Sequence, residues 1–441
     1  MIRFLQISDI HFTDTSENDD EYKLMKRRFL EDIAECCSLP KGSIDHILIC
    51  GDIAFSGMES QYKKAKEFIE TICEKARCSV TNVFVVPGNH DKKREVYVRT
   101  RQIMKDTLLK GKNAKQLLES KVKEPMAIGI LYAPFKQYYK FASGFNCISD
   151  VALKAACFPE SDQRMRSISR FKPNDVIYWS EQLRDLHKYA VHIHGSNTSL
   201  LSDKDDGESW DLKEGEHLQV LPLQAYNVAG KSNEIHILML HHPMSEIENG
   251  KSIGKELDTR FLLQFYGHIH KQSSSSERAI KIYSGALQPP EGDGNQYFPV
   301  YNIIEIDVVE EAKKPFLKVE VFSRRWDGAN FIEYVEETKT GKKALKLELK
   351  HNEAWRRTME RINNEEHVTE GLAIVKPDVN PHAVKNGFLR CGREGKIISK
   401  MYGEKFNKIS PNRIKYLAFL KQVEQDGRLN ELNEILKLYE K

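Results

Sequence analysis

The sequence contains no apolar run long enough to span a membrane, so a transmembrane segment is not expected. Its 8 cysteines form no C-x-x-C pair. That argues against a redox motif or thiolate zinc site and for reduced, mostly buried thiols in a cytosolic protein. It also lacks a strong charge of either sign: 67 Lys/Arg against 64 Asp/Glu leave +3, too little to name a partner. Met1 leads straight into the first apolar stretch with no signal-like segment before it, so a cytoplasmic location is expected. At 441 residues the chain has room for two domains, or for one large domain with insertions.

What the chain does have is a set of short apolar runs that stop on metal-ligand residues. Val83-Phe84-Val85-Val86 runs into Pro87-Gly88-Asn89-His90-Asp91. Ile2–Ile7 runs into Ser8-Asp9-Ile10-His11, and His46–Cys50 into Gly51-Asp52. Ile235–Leu240 ends at His241-His242-Pro243, and Phe261–Tyr266 at Gly267-His268-Ile269-His270. Each run reads as a strand buried on both faces and closed by a breaker. Loops at strand ends are where α/β folds place their chemistry. The pooled oxygens and imidazoles suit Mn²⁺, Fe or Zn²⁺ better than Ca²⁺.

The ordered pattern D-x-H, G-D, G-N-H-D, H and G-H-x-H resembles the calcineurin-like metallophosphoesterase superfamily, over about residues 1–335. The resemblance implies an α/β fold, a four-layer αββα sandwich with two central sheets between helices. It also implies two divalent ions, Mn²⁺ first, with Fe, Zn²⁺ and Mg²⁺ as alternatives. Asp9, His11 and His270 would hold one ion, Asn89, His241 and His268 the other, with Asp52 bridging. His241 is preferred to His242 because in H-x-P relatives the ligand lies two residues before Pro. His90 would act as the acid or as a hydrogen-bond donor in the transition state, oriented by Asp91. Two such ions clamp the attacking and leaving oxygens of an in-line displacement, and no Ser or Cys nucleophile is needed. Protein Ser/Thr phosphatases of this superfamily carry G-D-x-V-D-R-G. The stretch Gly51-Asp52-Ile53-Ala54-Phe55-Ser56-Gly57 lacks their phosphate-clamping Arg, which points towards phosphodiesterases and nucleases.

Helices are expected over 21–37 and along the Tyr62–Ala76 periodicity, in β-α-β-α-β order. Residues 92–190 read as a large insert within a catalytic domain of residues 1–350. Lys92, Lys93 and Arg94 either bind substrate phosphates or begin a solvated helix. The aromatic segment Tyr132–Phe145 reads as the insert's own core rather than a base-stacking platform. His192 and His194 share one strand face and read as structural. A hairpin is expected between Phe331–Glu336 and Ala344–Leu349, and Arg324-Arg325 as an edge-strand basic patch.

Residues 351–441 read as a small, mainly helical module. Between 376 and 421 it carries eleven Lys/Arg against three Asp/Glu. That excess suits nucleic acid; the alternative is a module that contacts the catalytic domain or a protein partner. The expected function is therefore a two-metal phosphodiesterase acting on DNA or RNA, with cyclic or small nucleotides second. A non-catalytic interaction protein on the same fold is the rival, disfavoured because a scaffold needs no complete ligand set.

Overall fold

In the computed structural model the residues described are 1–14, 20–38, 42–100, 103, 130–145, 178–200, 202, 233–247, 250–288, 298–334, 342–349, 394–402, 419–420, 422–423 and 428–437. The chain divides into two compact units, Met1–Arg356 and Arg357–Lys441.

The first unit is mixed α/β, built on two sheets. One sheet has the order β12-β11-β10-β1-β2-β3. Here β1 is Ile2–Ile7, β2 His46–Ile49, β3 Val83–Val85, β10 Val300–Glu311, β11 Lys314–Trp326 and β12 Phe331–Glu333. The other runs β4-β5-β6-β7-β9-β8. It uses β4 Tyr178–Gln182, β5 Ala190–Ser196, β6 Glu234–Met239, β7 Leu263–Tyr266, β8 Ser273–Ser276 and β9 Ile280–Tyr283. Strands β1, β2 and β3 are parallel, as are β5, β6, β7 and β9. Helices α1 (Asp20–Cys36) and α2 (Glu59–Ala76) supply the crossovers between β1, β2 and β3. Their apolar stripes explain the placement: Phe29 and Ile33 of α1 and Tyr62, Ala65, Ile69 and Ile72 of α2 are all buried.

Side-chain alternation along β1 divides the two faces. Leu5 and Arg3 turn towards the helices, where the Arg3 guanidinium donates to the Cys36 carbonyl at 3.1 Å. Phe4 and Gln6 turn towards the second sheet. Phe4 meets Phe265 with centroids 5.9 Å apart. Gln6 Nε2 donates to the carbonyls of Tyr266 and Ile282, at 3.3 and 3.4 Å. Gln6 Oε1 accepts from Asn302 at 2.9 Å, and Asn302 Oδ1 accepts from Ser323 at 2.6 Å. A buried polar ladder thus crosses from β11 through β10 and β1 to the facing sheet.

Several expectations are corrected here. The aromatic segment does not make a core of its own. Tyr132, Phe135 and Phe141 join the main core, and helix α3 (Lys136–Ala142) packs on α2, with Phe141 stacked on Tyr62 at 5.1 Å. Nor do the last two strands form a hairpin. Both β12 and β13 (Lys342–Glu348) pair antiparallel with β11, one after the other along it. Strand β13 also reaches the far edge of the second sheet, where Lys343 Nζ donates to the Ser274 carbonyl at 2.6 Å and Ser276 Oγ to the Lys346 carbonyl at 3.3 Å.

Arg324 belongs to no exposed basic patch. It forms an ion pair with Asp32 of α1, which also accepts from the Tyr301 hydroxyl. Arg325 lies between the rings of Phe298 and Tyr334, at 4.7 and 4.1 Å.

Of the second unit, α4, defined as Gly250–Arg260, is no part; its own elements are α5 (Glu394–Tyr402) and α6 (Leu429–Lys437). These close a separate small core of Ile397, Ile398, Met401, Phe419, Leu432 and Ile435. The expected helix start at Ser410-Pro411, and most of the basic stretch, lie outside the described residues.

Asp32→Ala leaves the Arg324 guanidinium buried against Tyr301 without its carboxylate. We expect a loss of about 3–5 kcal/mol of unfolding free energy in urea titrations, with most of it recovered in Asp32→Leu/Arg324→Met.

Candidate metal centre

Strands β1, β2, β3, β6 and β7 are parallel within their sheets, and their carboxyl ends all deliver polar residues to one place. Asp9 and His11 follow β1, Asp52 follows β2, and Asn89 and His90 follow β3. His241 follows β6, and His268 and His270 follow β7. Most are buried: Asp9 is fully so, and His11, Asp52, Asn89 and His241 are 3% exposed or less.

Three groupings meet there: Asp9–His11–His270, Asp9–Asp52–His241 and His241–His242–His268, each with one ligand atom per residue within 4.8 Å of the others. His11, Asp52 and His90 form a fourth. Asn89 Oδ1 lies 3.0 Å from His241 Nε2.

The two carboxylates are held alike. Asp9 Oδ2 accepts from the His268 amide at 3.1 Å, which leaves Oδ1 facing His270 Nε2 at 3.3 Å and His11 Nε2 at 4.0 Å. Asp52 Oδ1 accepts from the His90 amide at 2.8 Å, which leaves Oδ2 facing His241 Nε2 at 3.4 Å and His11 Nε2 at 4.0 Å. One oxygen of each is pinned by backbone; the other points inward.

The backbone is strained to achieve this. Asp9, His11, Asp52, His268 and His270 all have positive φ, between 49° and 70°. Each non-glycine residue held there costs on the order of 1–3 kcal/mol and persists only where its surroundings enforce it. Two glycines permit the close approach. A Cβ on Gly88 would lie 2.0 Å from Asp52 Oδ1, and one on Gly267 2.2 Å from Ser8 Oγ.

The donor set fits a pair of divalent ions. Both ring nitrogens of His11 are buried without a hydrogen-bond partner, although Asp9 and Asp52 oxygens lie near enough to share a cation with them. Burial would leave such polar atoms costly unless something binds them. His241 Nδ1 lies 2.8 Å from the Cys50 carbonyl, an arrangement that directs Nε2 at Asn89 and Asp52.

The electrostatics are those of ligands crowded together. Burial pushes the Asp9 carboxyl up, but the His270 hydrogen bond and charge outweigh it and bring it to about 2. Asp52 also lies well below the carboxylate range, because His241 and His90 outweigh its burial. Burial lowers His11 and His268 to about 3 and so keeps both imidazoles neutral for coordination. His241 is raised to about 9, its burial outweighed by Asp52.

Two assignments change. Asp91 does not orient the His90 ring. Its carboxylate accepts from the amides of Ile53, Ala54 and Gly88 and from the Tyr62 hydroxyl, tying the third ligand loop to the second and to α2. Burial and Asp52 raise its pKa to about 7. His90 Nδ1 instead meets the Phe55 carbonyl at 2.9 Å and an Arg94 guanidinium nitrogen at 3.5 Å. Lys92 is fully buried, with Nζ 5.9 Å from the Phe135 ring centroid; the Gly57 turn packs against its backbone, and the Pro134 carbonyl accepts from the next amide, that of Lys93, at 2.9 Å. Lys93 is exposed, and an Arg94 guanidinium nitrogen lies 3.4 Å from His90 Nε2.

Sequence reasoning missed the loop after β5. Thr198 is buried and its Oγ1 lies 2.8 Å from His242 Nδ1. Asn197 Nδ2 donates to the Tyr139 hydroxyl at 3.1 Å. The available signal was the polar run Ser196–Ser199 after a strand that proves to be the parallel neighbour of β6. His194 and His236, lower on those strands, pair with each other at 2.9 Å.

A model of calcineurin-like phosphoesterases matches residues 2–272, and the chain belongs to that family. It is similar to the uncharacterized metallophosphoesterase-like protein YydB of Bacillus subtilis (strain 168), 28% identical over 295 residues. That match covers 65% of this chain and 53% of YydB, so the chain spans about half the length of the curated relative it matches.

Added Mn²⁺ at a hundred times its Kd should stabilise the protein by about 2.7 kcal/mol, read as a rise in Tm, and Asp52→Asn should lose most of that rise. An equal rise in both proteins would place the metal elsewhere.

Proposed function

We propose that the protein is a two-metal phosphodiesterase whose preferred substrate is DNA or RNA. The observation that carries the phosphodiester reading is the loop after Asp52. Ser56 stands at the position of the Arg that clamps phosphate in the protein phosphatases, and the exposed Phe55 and Met58 flank it. The basic composition of 376–421 supports the polymeric substrate. The proposed ligands are Asp9, His11 and His270 for one ion and Asn89, His241 and His268 for the other, with Asp52 between. Mn²⁺ is the proposed metal and the cytoplasm the proposed location. Among the described residues no helix is long and apolar enough to cross a membrane.

A pair of divalent ions there supplies positive charge for the phosphoryl oxygens and lowers the pKa of coordinated water. This chain's own residues do the rest. Asp9 and Asp52, pinned by the amides of His268 and His90, keep their inward oxygens fixed without reorganisation. With Nδ1 held by the Phe55 carbonyl, a protonated His90 can give the proton at Nε2 to the leaving oxygen. Arg94, with one guanidinium nitrogen 3.4 Å from His90 Nε2 and 3.5 Å from Nδ1, is placed to meet a phosphate there. Asp91 serves as the strut that holds the loop bearing His90.

Hydrolysis of bis-p-nitrophenyl phosphate with Mn²⁺ tests the reading. His90→Asn should cut kcat by about 10²–10⁴ with metal content unchanged. Loss of metal instead would make His90 a ligand, and no turnover with any divalent ion would favour the scaffold. For the polymer, the DNA affinity of the full chain should fall steeply between 50 and 200 mM salt. A flat salt dependence, with turnover of a cyclic nucleotide and no DNA cleavage, points to the small substrate.

A further inference from the structure

Phe55 is 43% exposed, on the loop between Asp52 and α2. A lone exposed aromatic is ordinary on a protein surface. The placement of this one is not. Its ring lies 5.3 Å from that of His90, with planes 39° apart, and 6.2 Å from that of His11. It therefore borders the mouth of the metal centre. Its backbone is fixed on both sides: the amide donates to the Phe12 carbonyl at 3.0 Å, and its own carbonyl faces His90 Nδ1 at 2.9 Å. Met58, three residues further on, is 37% exposed. An apolar ring is thus held in water beside the group that would meet the leaving oxygen, ready for a flat partner to cover it.

We propose that Phe55 is a stacking platform for the nucleobase carried by the scissile phosphodiester, and so sets a preference for nucleotide esters over alkyl esters. The proposal deepens the phosphodiesterase reading and rests on it. Base–aromatic stacking tolerates any base because each has a π-face, and it changes affinity by about tenfold or more. Arg94, 3.4 Å from His90 Nε2, places a guanidinium in the same neighbourhood, suited to the phosphate that joins base and leaving group.

The test compares two esters without an aromatic leaving group, thymidylyl-(3′→5′)-thymidine and its abasic analogue, on the full chain with Mn²⁺. The ratio of their kcat/KM values should fall about tenfold in Phe55→Ala and in Phe55→Leu, and return in Phe55→Trp. Independently of turnover, calorimetric titration with thymidine 5′-monophosphate should show the same order of affinities, with ethyl phosphate as the reference. An unchanged ratio and unchanged affinity overturn the platform while hydrolysis keeps the phosphodiesterase reading. Phe55-dependent binding without hydrolysis of either ester does the reverse. Failure of both measurements removes both.

Discussion

Two like charges set the terms for this protein. Asp9 and Asp52 are buried in one pocket, and a pair of carboxylates there is tolerable only where donors and cations compensate it. The chain compensates twice. Amides of His268 and His90 each take one carboxylate oxygen, and imidazoles of His241 and His270 face the others. The residual hunger for positive charge is what a pair of divalent ions satisfies. The left-handed backbone at Asp9, His11, Asp52, His268 and His270 is the covalent side of the same demand.

Such strain needs a rigid frame, and the frame is two parallel strand sets held in fixed register. Apolar contact between sheets is non-directional and permits sliding. The ladder Ser323–Asn302–Gln6, ending on the carbonyls of Tyr266 and Ile282, is directional. A one-residue slip would turn Gln6 towards the helices and take from its amide, and from Asn302 Nδ2, the bonds they make here. The ladder lies just below the loops that carry Asp9 and His268. Correct ligand geometry and correct sheet register are therefore one condition.

That these residues gather at one place could be read from sequence because each sits within a few residues of a strand end, so local pattern was enough. Helices α1 and α2 were readable for the same reason, through their spacing of apolar residues. What stayed hidden depended on contacts distant in the chain. Asp91 looks like a partner for its neighbour His90, but its carboxylate is taken by amides some 37 residues earlier, at Ala54. Lys92 reads as surface until the Gly57 turn packs against its backbone. Strand β8 is four serines with no apolar alternation and exists only because β9 offers it a ladder. The hairpin failed because β11, at thirteen residues, is long enough to take both following strands. Thr198 needed knowledge that β5 runs beside β6.

Strand β13 belongs to the first sheet, yet its lysines reach the serine edge of the second. Exposed ladder edges invite pairing with other chains, and proteins blunt them with lysines or with a covering element. Here one short strand does both, guarding β8 while occupying the open flank of β11. A chain cut before Lys342 would keep every residue of the candidate metal centre. It would also present two bare edges at once, so its failure would be self-association rather than lost chemistry.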